Sequence, residues 1–390
     1  MRIGLLLTIA LLMTGCGNAP TLESVVREAT GYLWQAQHED GGWRSDVHGV
    51  ARSGQSWTAF TLFHLLDLPD APEAPRDVAF RRGLAFIEHH LDTSQAGAAA
   101  LGLSDRHVLD YPVYATAYAL RAFLLANDRG LLSPHQERLI PEMATYLLEQ
   151  QWTASQGVDP SDPAFGGWGI GARPRDSPRL QGDAPPPYAD LSHTRRALEA
   201  LYEAARSHPT LRDSIDAAVS SAGVFLARVQ KRGERAYDGG FYYSPVLLDL
   251  NKAGMVDSTD QASSPTPTSY ATATCDGILA LLAAGFDPAS GPVREAWAYL
   301  AERDSLAHMA DLPARHVAWR EILFFYHLTG RAEVQRRLEV PGNWRADVLA
   351  LLAERQRPDG SFVNAYGAPN KEDDPIIATT LALAALRHSM

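Results

Sequence analysis

The chain contains few cysteines and no excess of basic residues. Only two of its 390 residues are cysteine, Cys16 and Cys275, so an exported form must rely on its hydrophobic core rather than on disulfides. Lysine and arginine number 35 against 46 acidic residues, which gives a formal net charge of −11. A nucleic-acid partner requires a basic surface, and so does a polybasic grip on anionic lipid. We therefore exclude both.

The N-terminal apolar stretch, residues 3–13, is too short to span a bilayer as a helix and has the length of a signal peptide. It follows Arg2 and leads into Met-Thr-Gly-Cys at residues 13–16, which resembles a bacterial lipobox. We predict cleavage before Cys16 and acylation of that residue, palmitate included. An ordinary signal peptide with a chance cysteine is the alternative.

The predicted anchor divides the chain and places it in the cell. Several acyl chains, at about 0.8 kcal/mol per buried methylene, hold a protein to a membrane far more firmly than one chain does. Glycine rather than aspartate follows Cys16, which favours the periplasmic side of the outer membrane. The predicted division is a lipoprotein signal peptide at residues 1–15, a lipidated tether at residues 16–23 and one folded domain at residues 24–390.

An internal repeat is the clearest feature that the chain does have. Each copy reads as a helix end carrying glutamine, followed by a glycine turn and an aromatic residue. The copies occupy residues 37–43, 151–168 (with an insertion), 230–241 and 356–362. Glycine permits the positive φ with which a helix can end, and glutamine can bond free backbone groups at a neighbouring helix terminus. Such units stack because none buries its apolar face alone.

A second helix follows each signature and carries a threonine with apolar residues four and seven positions later, on one helical face. The threonine either bonds the backbone carbonyl one turn back or is a small residue that permits close helix approach. A sixth helix has Trp319 in the threonine position, followed by Leu323 and Tyr326. The five threonines are Thr58, Thr116, Thr194, Thr274 and Thr379.

These patterns predict an all-α fold, an α/α toroid of about six helical hairpins with inner and outer helix rings. Outer helices without the full signature are predicted at residues 80–91 and 293–302. Residues 152–187 and 257–269 are rich in turn-forming residues and predict two long loops. Both loops lead into inner helices, so we expect them on the same face of the ring.

The signature at residues 37–43 resembles the QW repeats of squalene-hopene cyclases, and the same toroid occurs in the β subunits of protein prenyltransferases. The resemblance covers the chain from about Glu23 to Arg387. It implies the terpene cyclase and prenyltransferase-β superfamily for the fold and leaves the chemistry to be argued from the site. The cysteine- and glutamine-bearing segment of the complement-like thioester toroids does not occur in this chain.

Protonation-initiated cyclases use a D-x-D-D-T pattern at the start of an inner helix. The matching residues here are 190–194, in which Asp190 and Thr194 match the pattern. Ser192 stands where the protonating aspartate would be, with His193 beside it, and a serine cannot protonate an alkene. The resemblance therefore argues against that cyclase chemistry in this chain.

The prenyltransferases hold Zn²⁺ with aspartate, cysteine and histidine. Cys275 and Asp276 stand in the reverse of that family's order, and His193 or His316 would have to supply a third ligand. A small buried cysteine explains Cys275 equally well. We predict no metal and no cofactor. The sequence also shows no phosphate-binding glycine loop and no basic cluster for a diphosphate.

Candidate site residues lie near the N-terminal ends of the predicted inner helices. Aromatic side chains there suit isoprenoids or sugar rings, with ordinary packing as the alternative. The catalytic candidates are Asp190, His193, Asp373 and Asp374, although the aspartates equally suit helix capping. The predicted cavity lining is Trp57, Tyr111, Tyr114, Tyr188, Tyr270, Trp319 and Tyr366.

Three functions remain open at this stage, and the sequence does not decide whether the protein is an enzyme. The leading hypothesis is a lipid-anchored toroid that binds an apolar or isoprenoid-like ligand in an aromatic cavity. The second is an isoprenoid cyclase or transferase with a rearranged acid, namely Asp190, Asp373 or Asp374. The third is a glycan-processing enzyme with paired carboxylates about 5–9.5 Å apart across the mouth of the ring. A scaffold with a filled barrel would bind no cavity ligand.

Overall fold

The structure is a computed structural model that describes residues 20–69, 76–103, 110–171, 188–232, 238–256, 266–303, 306–307, 309, 312 and 317–390. The predicted signal peptide, the lipidation candidate Cys16 and the zinc candidate His316 lie outside these residues. Parts of the two predicted long loops lie outside them as well.

Helices account for nearly all of the regular structure in this part of the chain, as predicted. The outer helices are α1 (Leu22–Gln35), α3 (Arg76–His90), α5 (Pro134–Glu149), α7 (Arg212–Val229), α9 (Gly291–Ala301) and α12 (Trp344–Ala353). The inner helices are α2 (Gln55–Leu66), α4 (Pro112–Asp128), α6 (Leu191–Ser207), α8 (Ala271–Ala283), α11 (Phe324–Arg337) and α13 (Pro375–His388), with the short α10 (Val317–Ile322) before α11. Two short strands, β1 (Met255–Val256) and β2 (Thr266–Pro267), pair antiparallel.

The inner helices form a closed ring. Each packs on the next, in the order α2, α4, α6, α8, α11 and α13, and α13 returns to α2. Every residue of α8 is buried, whereas α1 buries only residues spaced about one turn apart, such as Val25, Ala29 and Leu33. A helix that is apolar on all sides belongs inside a fold, and one with an apolar stripe belongs at its surface. The α/α toroid predicted from the repeats is therefore confirmed.

The glutamine of each signature joins two successive outer helices. Gln37 Nε2 donates to the carbonyl of Gly41 in its own turn and to that of Ala79 near the start of α3, both at 3.0 Å. The glutamine thus bonds the neighbouring outer helix as predicted, although its acceptor is a carbonyl in the first two turns rather than a free group at the terminus. The same pair of bonds runs from Gln151 to Gly166 and Ala218, and from Gln230 to Gly239 and Pro292.

The last glutamine closes the outer ring. Gln356 Nε2 donates to Gly360 in its own turn at 3.1 Å and to Val25 of α1 at 2.9 Å. Val25 lies in the first turn of its helix, where the chain of hairpins began. Residues more than 300 positions apart are thus joined by the same bond that joins neighbouring hairpins.

The inner-helix threonines bind the signature turns. Thr194 Oγ1 donates to the Asp190 carbonyl one turn back at 2.7 Å, as predicted, and Thr274 does the same at 2.9 Å. Each of the five threonines also accepts a backbone N–H from the turn before its helix, which the sequence did not predict. The donors are Trp43, Leu101, Trp168, Phe241 and Phe362, at 2.8 to 3.0 Å.

The sixth inner helix is not continuous, so the prediction of one helix carrying Trp319, Leu323 and Tyr326 was wrong. α10 ends at Ile322 and α11 begins at Phe324. The buried Glu372 carboxylate accepts the backbone N–H groups of Phe325 and Tyr326, each at 2.9 Å. Because these donors are satisfied by a side chain, α11 can start afresh at this point.

Among the described helices, none is both long and apolar enough to cross a bilayer.

Replacing a turn glycine with alanine should lower the free energy of unfolding most where the added Cβ would meet a neighbouring atom. Gly166 has φ +85°, and a Cβ there would lie 1.9 Å from the Ser221 carbonyl oxygen; Gly157 has φ +79° with nothing within 4 Å. We expect Gly157→Ala to lower the free energy of unfolding by about 1–2 kcal/mol, the cost of a left-handed alanine. Gly166→Ala should lower it by clearly more. Urea unfolding of both variants checks this, and equal losses would contradict the close approach.

Candidate functional site

A cavity of about 500 Å³ occupies the mouth of the inner ring. Every inner helix contributes to it from its first or second turn, and the loops before α8 and α13 complete it. The lining from the helix starts includes Trp57 of α2, Tyr114 of α4, His193 of α6, Thr272 of α8, Trp319 of α10 and Ile377 of α13. The helical frame thus directs side chains from every inner helix into a shared space.

Five of the seven aromatic residues predicted to line this cavity do so: Trp57, Tyr111, Tyr114, Tyr270 and Trp319. Tyr188 is not among the lining residues, and its hydroxyl donates a hydrogen bond to Asp190. Tyr366 is 65% exposed and is not among the lining residues, although Pro369, Asn370 and Lys371 of the same segment are.

Four further aromatic side chains line the cavity and were missed. Phe60 and Tyr118 lie one turn deeper than Trp57 and Tyr114, so the helical period carried the signal for them. Tyr326 belongs to α11, whose separate start was not predicted. Tyr243 comes from a loop, and helical spacing gives no information about it.

Asp190 and His193 form a hydrogen-bonded pair at the start of α6. Asp190 caps the helix, because its Oδ1 accepts the His193 backbone N–H at 2.9 Å. Its Oδ2 lies 2.6 Å from His193 Nδ1 and also accepts the Tyr188 hydroxyl, while Ser192 donates to Oδ1 at 2.8 Å. The carboxylate is completely buried.

The charge state of Asp190 follows from these partners. Burial by itself would raise the pKa of the carboxyl, but the charge of His193 and the hydrogen bonds from His193 and Tyr188 outweigh it and lower that pKa below its usual range. Asp190 is therefore ionised at neutral pH. An ionised carboxylate has no proton to give to an alkene, which bears directly on the cyclase hypothesis.

The second ring nitrogen of His193 is available to a ligand. His193 lines the cavity, its Nε2 is buried, and Nε2 has no hydrogen-bond partner within the described residues. Since Nδ1 donates to Asp190, Nε2 of the neutral ring carries the lone pair. The Tyr114 ring meets the imidazole edge-on at a centroid distance of 4.6 Å and fixes its plane.

Cys275 is buried in the core, and Asp276 is held by hydrogen bonds to other side chains. Cys275 is 1% exposed, and Asp276 Oδ1 accepts from Arg195 Nη1 at 2.8 Å while both its oxygens accept from the Tyr326 hydroxyl at 3.0 to 3.1 Å. Within the part of the chain that the structure describes, no group of three or more His, Cys, Asp or Glu residues is arranged to hold a metal ion.

A buried ionic network forms the floor below the cavity. Arg195 binds Glu199 Oε1 at 2.6 Å as well as Asp276 and Glu333, and Arg196 binds Glu199 Oε2 at 2.9 Å. The Arg196 guanidinium also stacks 5.4 Å from the Tyr118 ring centroid. Buried charges are stable only when paired in this way, and the network leaves the base of the barrel polar and filled.

Asp373 and Asp374 lie away from the residues that line the cavity. Asp374 caps α13 by accepting the Ile376 N–H at 2.8 Å, and it also accepts the Ser45 hydroxyl at 2.6 Å. Asp373 Oδ1 lies 2.7 Å from His48 Nε2. The two carboxylates therefore join the last helix to the first hairpin, and Asp374 alone has the capping geometry that the sequence also allowed.

No protein-family model matches the chain, and no curated protein matches it. Solved structures do. The type II terpene cyclase MstE from Scytonema is similar with a TM-score of 0.56 and 14% identity over 94% of this chain and 98% of that one. A likeness at this identity shows the fold alone.

Glycoside hydrolases share the same fold. An unsaturated glucuronyl hydrolase specific for heparin aligns with a TM-score of 0.54 and 12% identity over 94% of this chain and 96% of that one. A family 76 glycoside hydrolase from a bovine Bacteroides thetaiotaomicron strain aligns with a TM-score of 0.56 and 12% identity over 95% of this chain and 78% of that one. The chain thus has an α/α toroid that serves both terpenoid and carbohydrate enzymes.

The buried Glu372 should make stability depend on pH. Burial raises its pKa to about 7, above an unfolded value near 4.5. Its stabilising contribution is therefore fully present below about pH 4.5 and is lost as the pH rises through 7, by up to about 3 kcal/mol. We expect the free energy of unfolding to fall over this window in the wild type and to stay flat by comparison in Glu372→Gln. Parallel pH slopes in urea unfolding would contradict the shift.

Proposed function

We propose that the cavity binds a small molecule with an extended apolar, isoprenoid-like body. The observation that carries this proposal is the wall: nine aromatic side chains face a space of about 500 Å³, together with Leu323, Ile377 and Leu381. Aromatic and aliphatic surfaces of this kind favour burial of hydrocarbon at about 25 cal/mol per Å². The similarity of the fold to a terpene cyclase supports the same class of ligand.

The proposal does not include cation-initiating acid chemistry. Ser192 occupies the position of the acid in the D-x-D-D-T frame, and Asp190 is held ionised. Asp373 and Asp374, the other acids considered for a rearranged mechanism, are bound to His48 and Ser45 rather than facing the cavity. A protonation-initiated cyclase would need a neutral acid in the cavity, and the three acids of the hypothesis do not supply one.

We further propose that Cys16 anchors the protein on the periplasmic side of the outer membrane. The support is the lipobox-like sequence before Cys16 and the short tether after it. An anchor of this kind would hold the protein at a membrane, where apolar ligands collect.

A glycan-processing role has less support from the geometry. The carboxylates that line the cavity are Asp249, which is exposed, and Asp276, which is bound by Arg195 and Tyr326. Neither can form an acid–base pair with Asp190, because the Asp190 carboxylate is already bound by His193 and Tyr188. The shared fold with glycoside hydrolases keeps sugars as the comparison class in the ligand test.

We expect the purified protein to retain an extractable apolar ligand. Native mass spectrometry should show added mass that solvent extraction removes, and the emptied protein should then bind farnesol with quenching of tryptophan fluorescence. Trp57 and Trp319 are the tryptophans that line the cavity, whereas Trp297 contacts Arg331 elsewhere. The quench should be lost in Trp57→Phe/Trp319→Phe and kept in Trp297→Phe. A protein that is empty, does not bind farnesol and binds oligosaccharides would overturn the proposal.

A proton-transfer reaction is the second candidate function. The unpartnered Nε2 of His193, with Nδ1 held by Asp190, is the arrangement of a general base that faces a bound ligand. Binding alone does not require it. The reaction class would be removal and return of a proton at an activated carbon or oxygen of the ligand.

Deuterium exchange tests this second function. When the extracted ligand is incubated with the wild type in D₂O, we expect deuterium at carbon. His193→Gln should slow its incorporation by about 10²- to 10⁴-fold, the usual contribution of a positioned base. Asp373→Asn, which lies away from the cavity lining, serves as the control and should behave as the wild type. A wild type that incorporates no deuterium at carbon would overturn proton transfer at carbon as its function.

A further inference from the structure

Two of the three lysines of the chain line the cavity. The 35 basic residues include only Lys231, Lys252 and Lys371 as lysines, the remainder being arginine. Lys252 and Lys371 both face the cavity, whereas Lys231 lies outside its lining, 3.8 Å from Asp238. The sequence shows no basic cluster because the two lysines belong to distant segments, and only the closed ring brings them to one space.

Lys252 is a partly buried cation that lies against two aromatic rings. Its Nζ lies 4.4 Å from the Tyr243 ring centroid and 5.5 Å from that of Trp319, and it forms no salt bridge with any described residue. The neighbouring Asn251 fixes the segment by donating to the carbonyls of Gly254 and Thr268 at 2.7 and 2.8 Å. Burial lowers the pKa of Lys252, and the charges of Asp190 and Asp276, neither of which forms a salt bridge with it, offset that effect only in part.

Lys371 reaches the cavity from a strained backbone. Its φ is +63°, and its Nζ lies 3.2 Å from the Tyr111 hydroxyl and 4.9 Å from the Tyr111 ring centroid. Tyr111 is itself left-handed, with φ +48°. The described residues include three non-glycine positions of positive φ, and two of them meet here. Strain of this kind collects at functional sites, where the surrounding structure holds it in place.

The cavity therefore has uncompensated positive charge in a chain of net charge −11. Of the carboxylates that line it, Asp276 is bound by Arg195 and Asp249 is exposed to solvent. Arg196 adds a third cation, of which Nη1 binds Glu199 while the buried Nε has no partner. A buried cation without an anion is unfavourable, and a bound oxyanion would remove that penalty.

We propose that the cavity ligand carries an oxyanion, a carboxylate or a phosphate, which binds to Lys252 and Lys371. The proposal rests on the proposed function and adds to it the chemical class of the ligand, an anionic amphiphile. The apolar body lies against the aromatic walls, and the Tyr111 hydroxyl provides a further donor beside Lys371. Ammonium groups suit this purpose because each offers several donors to an oxyanion from a point charge.

Three probes with one chain and different head groups test the proposal: farnesol, farnesoic acid and farnesyl monophosphate. Their dissociation constants are measured by tryptophan quenching with the full-length wild type, Lys252→Met/Lys371→Met and Lys231→Met. We expect the wild type and Lys231→Met to bind one or both anions about 10- to 100-fold more tightly than the alcohol, as charged hydrogen bonds require. The double variant should bind all three equally. The tighter anion identifies the head group.

Amine labelling separates this proposal from the function on which it rests. Site-resolved reductive methylation follows the three lysines separately, with decanoate and decyl phosphate as anions that lack an isoprenoid chain and decanol as the neutral control. Protection of Lys252 and Lys371 by the anions, with Lys231 unchanged, supports the anion site even if no farnesyl probe binds. Equal protection by decanol, no protection at all, or an anion preference that survives in a folded double variant would overturn the proposal.

Discussion

The structure depends on one repeated hydrogen-bonding unit, in which a glutamine side chain donates to its own turn and to the next outer helix. Each hairpin alone has an apolar face that water would cover, so the hairpins are stable only against one another. The glutamine bonds fix the position of each outer helix against the next, and the threonine bonds fix each inner helix against the turn that precedes it. Gln356 bonds Val25 in the same way that Gln37 bonds Ala79, so the ring closes without a special junction.

Closure of the ring creates the cavity and also determines its chemistry. The inner helices all point their N-terminal turns at one mouth, where free backbone N–H groups favour negative charge. Asp190 caps the N-terminus of α6 and is ionised there, so it lacks the proton that a cyclase acid would need. The same carboxylate holds Nδ1 of His193 and so orients the imidazole that lines the cavity. Helix capping and the orientation of a cavity residue are thus linked through a single carboxylate.

The sequence predicted the parts of this site that follow from helical spacing. Trp57 and His193 each stand one residue before an inner-helix threonine, so the repeat frame directs them into the cavity. The repeat wrongly predicted a continuous helix through Leu323, because the bond from Phe325 to Glu372 at the start of α11 depends on a contact between distant segments. The repeat also did not predict Lys252, Lys371 or Tyr243 in the cavity, because these residues come from loops. A loop residue enters the site through tertiary packing, and no local period records that.

The two lysines also constrain what the aromatic walls can do. Aromatic faces stabilise cations, so nine of them around one cavity are, taken alone, compatible with carbocation chemistry. Two of those faces, Tyr243 and Trp319, are already occupied by the Lys252 ammonium, and Tyr111 lies beside Lys371. A carbocation formed among these groups would meet like charge at close range, which is unfavourable in a medium of low dielectric constant. An anion on the ligand would reduce this repulsion, so the proposed head group would favour a cationic step as well as binding.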